Sequence, residues 1–84
     1  MSKILIIDDD SQNRDLAMRI LKRQGYDVVH VADGETGVMM AEADAPDLIL
    51  MDLAMPDMDG FETARRIKDG PRTGDIPIIA VTAY

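Results

Sequence analysis

Short apolar runs alternate with stretches of helical periodicity along the whole chain. Ile4-Leu5-Ile6-Ile7 is a β-branched run without polar alternation, the pattern of a strand buried on both faces. Asp8-Asp9-Asp10-Ser11 stops it. From Ser11 to Gln24, Leu16, Ala17, Ile20 and Leu21 fall on one helical stripe, with Arg14, Arg19, Lys22 and Arg23 outside it, and Gly25 supplies a helix C-terminus. Tyr26 to Ala32 is β-rich but interrupted by Asp27 and His30, which fits a strand near a sheet edge. Asp33 is placed to cap a second helix, Gly34 to Ala43, in which Val38, Ala41 and Ala45 share a spacing of three and four before Pro46 marks the exit. Gly37 inside that helix predicts close packing against the sheet. Leu48 to Met51 is a third apolar run. Gly60 to Lys68 predicts a third helix with Phe61, Ala64 and Ile67 inward, and Ile76 to Thr82 a fourth strand after Gly-Pro and Pro77 punctuation.

The order is therefore β-α-β-α-β-α-β. Strands alternating with single helices imply right-handed crossovers and a mainly parallel sheet, an α/β fold. With 84 residues and no internal linker or repeat, the chain is one domain over residues 1–84. Sixteen acidic against nine basic residues give a net charge of -7, which disfavours contact with a phosphate backbone and excludes nucleic acid as the expected partner. Cations and basic protein surfaces fit better. The absence of cysteine removes disulfides and thiolate metal sites. The N-terminus offers one lysine and then only Ile4 to Ile7, too few apolar residues for a signal-peptide core or a membrane span. The expectation is a soluble, cytoplasmic protein.

In open α/β sheets, ligands bind beyond the carboxyl ends of the strands. Asp8 and Asp9 follow the first strand, Asp52 the third, and Thr82 closes the fourth. If the first and third strands are neighbours, three carboxylates converge. Their repulsion raises at least one pKa unless a cation is present, so the pattern predicts a hard divalent ion with oxygen ligands, most simply Mg2+. Each residue also has a plainer reading: Asp8 to Asp10 as a helix cap, Asp52 as a turn acid before Pro56, Thr82 as an ordinary β-branched strand residue. Capping needs only one aspartate, and the other two stand at a strand end beside a third.

At this point the sequence resembles the receiver domain of two-component response regulators. The resemblance is carried by Ile4-Leu5-Ile6-Ile7-Asp8-Asp9-Asp10, by Asp47-Leu48-Ile49-Leu50-Met51-Asp52-Leu53-Ala54-Met55-Pro56-Asp57-Met58-Asp59-Gly60, and by Ile78-Ile79-Ala80-Val81-Thr82-Ala83. It implies a flavodoxin-like sheet of order 2-1-3-4. It also implies that Asp52 is the phosphoacceptor, taking its phosphoryl group from a phosphohistidine on a sensor histidine kinase or phosphotransfer protein. Asp9, Asp52 and the backbone carbonyl of Ala54 would ligate Mg2+, with Asp8 acting largely through water. Thr82 would hydrogen-bond a phosphoryl oxygen and move as the switch, while Ala83 leaves room beside it. By the same resemblance, the kinase partner would meet the first helix.

The chain departs from the family pattern at its C-terminal side. Receivers continue through a further helix, a fifth strand and a last helix, so a chain ending at Tyr84 is expected to lack the final strand, the last two helices and the phosphoryl-pairing lysine. Ile78-Ile79-Ala80-Val81 reads as a doubly buried strand, and without those elements its edge and one sheet face predict self-association. Two alternatives stay open: a structural, self-associating receiver fragment without phosphotransfer, and a haloacid-dehalogenase-like phosphatase fragment using Asp8. Against the latter, Gln12 stands where that family prefers Thr or Val. Asp57-Met58-Asp59-Gly60 resembles a calcium loop only faintly, with Met55 at the first ligand position. His30 reads as an edge or packing residue, the methionines as core and loop packing, and Arg65, Arg66 and Lys68 as a solvated basic face.

Overall fold

The computed structural model describes residues 2–52 and 60–81. Four strands, β1 (Lys3–Ile7), β2 (Asp27–Val31), β3 (Leu48–Asp52) and β4 (Ile78–Val81), alternate with α1 (Ser11–Arg23), α2 (Gly34–Asp44) and α3 (Gly60–Asp69). All pairings are parallel and the sheet order is β2-β1-β3-β4. This is the flavodoxin-like order that the sequence led us to expect. Among the described residues no helix is long and apolar enough to cross a membrane.

Strand alternation divides the apolar residues between two faces. Leu5, Ile7, Ile49 and Met51 meet Ala41 of α2 and Ile67 of α3 in the main core. Ile6 and Leu50 face the other way, toward Leu16, Ala17 and Ile20 of α1. The second face is thinly covered: Leu16 and Ile20 remain 59% and 53% exposed, and α1 has no fully buried residue.

Helix ends follow local chemistry. Asp10 caps α1, its Oδ1 accepting from the Gln12 and Asn13 amides at 2.9 and 3.4 Å. At the other end Gly25 takes φ +94°, and the Gly25 and Tyr26 amides donate to the Lys22 and Leu21 carbonyls, closing a Schellman motif. Gly37 meets the expectation of close packing, since a Cβ there would lie 2.5 Å from Ile7 Cδ1.

Three expectations are corrected. Phe61 is 73% exposed rather than inward. The buried stripe of α3 runs through Gly60, Thr63 and Ile67, and Phe61 stands about 120° around the helix from Ile67. Ala45 is not a packing residue but the left-handed C-cap of α2, exposed at φ 46°. β4 begins at Ile78 rather than Ile76, and as expected its edge is open, with Ile79 and Val81 about half exposed. Ala54, Met55, Pro56, the Asp57–Asp59 segment, Thr82 and Ala83 lie outside the described residues.

The basic residues of α3 are engaged locally. Arg65 pairs with Glu62 and Asp69, and Arg66 with Glu62. The Lys68 ammonium donates to the Ile76 carbonyl at 2.7 Å, and the buried Thr73 hydroxyl to the Ile67 carbonyl at 2.6 Å, which ties down the connection into β4.

Candidate functional site

The parallel register fixes what meets at the carboxyl edge. Ile7 pairs with Met51, so the residues that follow, Asp8 and Asp52, emerge side by side from adjacent strands. At the opposite end the Lys3 amide donates to Asp47 Oδ2 and the Asp47 amide to the Lys3 carbonyl, each at 2.8 Å. That reciprocal pair holds the register against slipping.

Asp52 ends β3 and is only 6% exposed. Asp8 is half-buried and Asp9 exposed. Carboxylate oxygens from the three lie within 4.8 Å of one another. The structure thus separates the roles left mixed in Asp8-Asp9-Asp10: Asp10 caps α1, while Asp8 and Asp9 join Asp52. The Asp8 backbone is held on β2 by its amide, which donates to the Val31 carbonyl at 3.2 Å. Its Oδ1 accepts the Asp10 amide at 2.9 Å.

Burial holds the Asp8 carboxyl above its ordinary range. The Asp10 amide opposes that shift, and repulsion from Asp52, Asp9 and Asp10 adds to it. One raised carboxyl pKa was expected, but desolvation outweighs repulsion as its cause. The donor set fits a hard cation. Two oxygens sharing one Mg2+ at about 2.1 Å stand roughly 3 to 4 Å apart, and a carboxylate bound through water stands farther, so a cluster within 4.8 Å is compatible with that ion. Beside the cluster an open groove of about 620 Å³ runs along α1, acidic at Asp8, Asp10 and Asp52 and apolar at Leu16, Ile20 and Val81.

Sequence reasoning missed one feature of the site. Arg14, placed simply outside the apolar stripe of α1, reaches back to the Asp8 carbonyl and across to His30 on β2. A cation in the first turn of a helix, against the dipole, was the available signal. Thr82 and the Ala54 carbonyl, the other anticipated site groups, fall outside the described residues.

Comparison with known proteins agrees with this geometry. The response regulator receiver domain family matches residues 4–84. The response regulator PleD of Caulobacter vibrioides is 43% identical over 82 residues, 98% of this chain and 18% of PleD. The N-terminal domain of a response regulator receiver protein from Methanoculleus marisnigri superposes with a TM-score of 0.95 at 39% identity, covering all of this chain and 68% of that one. The receiver domain of a sensor histidine kinase from Pseudomonas aeruginosa, solved with a magnesium ion coordinated in its active-site cleft, gives 0.93 at 38% identity, over 98% of this chain and 67% of that one. The chain thus spans under a fifth of PleD and about two thirds of each of these receiver structures.

Proposed function

Because the chain belongs to the response regulator receiver domain family, we infer that it is a signalling module that takes a phosphoryl group onto Asp52 from a phosphohistidine on a sensor kinase or phosphotransfer protein. The observation that carries this reading is the gathering of Asp8, Asp9 and Asp52 within 4.8 Å at the carboxyl edge of the sheet. Asp52 attacks phosphorus through a carboxylate oxygen. The new P–O bond forms as the P–N bond breaks, and the electron pair leaves on the imidazole nitrogen.

The chain's own residues contribute position. β3 delivers the Asp52 carboxylate to the carboxyl edge of the sheet, where it is largely buried beside the end of β1. Asp8, Asp9, Asp52 and the Ala54 carbonyl would hold Mg2+, which would supply positive charge to offset that on the phosphoryl oxygens. Thr82 donates a hydrogen bond to the phosphoryl group and moves toward it as the switch. The test treats the protein with a small phosphodonor and Mg2+ and follows acid-labile label. Label is expected on wild type, reduced on Asp8→Asn and absent from Asp52→Asn; retention on Asp52→Asn with loss on Asp8→Asn returns the assignment to the phosphatase alternative.

A second reading, association with a further copy of this chain, is favoured by the exposure of Leu16, Ile20, Ile79 and Val81 along the α1 face and the β4 edge. It does not compete with phosphotransfer.

A further inference from the structure

Arg14 stands in the first turn of α1, where a cation opposes the helix dipole, and yet it is half-buried. Its side chain explains the placement. One terminal guanidinium nitrogen, Nη1, donates to the Asp8 backbone carbonyl at 2.9 Å, and Nε donates to His30 Nδ1 at 3.3 Å. Both acceptors are uncharged. Although Asp8, Asp9 and Asp10 precede it closely in the chain, no ion pair joins Arg14 to a carboxylate among the described residues.

Two consequences follow from elementary chemistry. The planar guanidinium fork fixes the direction of both bonds, which a lysine cannot do. With the Val31 carbonyl bound to its amide and the Asp10 amide bound to its Oδ1, Asp8 is held at three points. The peptide between Asp8 and Asp9 therefore has a set orientation. The neutral acceptors, in turn, keep a positive charge from bridging onto the acidic cluster and competing with a metal ion.

We propose that Arg14, anchored by His30, is a positioning residue for the cation site: it fixes the Asp8 carbonyl and so aims Asp8 and Asp9 at Asp52. The inference rests on the reading of those carboxylates as a Mg2+ site. Its sign distinguishes it from simple electrostatics, by which deleting a nearby cation strengthens Mg2+ binding. Loss of a group that orients the ligands weakens it.

The test is Mg2+ titration followed by NMR on folded protein at pH 8, with the Asp8 carbonyl carbon as a second readout. Arg14→Met, which keeps the alkyl stem, is expected to weaken Mg2+ binding about tenfold and to move the Asp8 carbonyl resonance. Arg14→Lys recovers part of the affinity through its single donor. His30→Val weakens binding less than Arg14→Met and adds nothing in the Arg14→Met background, while His30→Gln, which restores an acceptor, behaves as wild type. Should Arg14→Met not fold, the Arg14→Lys and His30 variants carry the same comparison. Unchanged or tighter binding in the Arg14 variants, with wild type saturating normally, overturns the inference alone. Failure of wild type to bind Mg2+ overturns the reading of the site beneath it.

Discussion

Asp8 carries opposed demands, since the burial that places its carboxylate beside Asp52 also penalises its charge. Its folded pKa lies above the ordinary value of 3.8, so the folded state binds that proton more tightly than the unfolded chain. The resulting stability is fully present below the ordinary carboxylate value and is lost as pH rises through the raised one. In metal-free buffer, Asp8→Asn is therefore expected to raise the melting temperature at pH 7 and to flatten its decline from pH 4, because Asn keeps the acceptor for the Asp10 amide. A lower melting temperature at pH 7 contradicts this account. Asp8, Asp9 and Asp52 were legible in the sequence because each follows an apolar run that ends abruptly. The Arg14 tether was not, because it joins a helix start to an edge strand through the β1–β2 register, which no local pattern encodes.

Among the elements, the strands and α1 were readable to within a few residues because apolar runs and caps coincide there. α3 was misread at one position, since Phe61 is a large apolar residue at a plausible spacing, whereas the buried stripe is set by small and polar groups, Gly60 and Thr63, alongside Ile67. α2 shows a similar conflict at its end. Ala45 occupies the left-handed cap, with its amide donating to the Ala41 carbonyl at 3.0 Å, although its spacing from Ala41 suggested the core. A Cβ is unfavourable at that φ, so Ala45→Gly is expected to stabilise the protein by about 0.5–1 kcal/mol after the entropy lost by glycine on folding is allowed for. Urea denaturation checks it. An unchanged or lower midpoint indicates that the cap carries no strain.

At the scale of the whole molecule, one sheet face has a closed core and the other an open groove, with an exposed β4 edge beside it. The thin cover that α1 gives its sheet face accords with the expectation of one exposed face. Association of copies through this face must overcome a net charge of -7 on each chain. Light scattering at tens of micromolar protein is therefore expected to show a dimer fraction that grows with added salt, as screening reduces the repulsion. A monodisperse monomer at both low and high salt contradicts self-association. Leu16→Lys, placed on the groove wall, is expected to shift the population toward monomer without loss of helix content in circular dichroism.

The proposed role of Asp52 as phosphoacceptor is tested by locating the phosphoryl group in the chain. An acyl phosphate on aspartate is reduced by borohydride to homoserine, which peptide mass spectrometry places in the sequence. After phosphodonor and Mg2+, homoserine is predicted at position 52, with Asp8 and Asp9 unmodified. Homoserine at position 8 or 9 with position 52 intact contradicts the account.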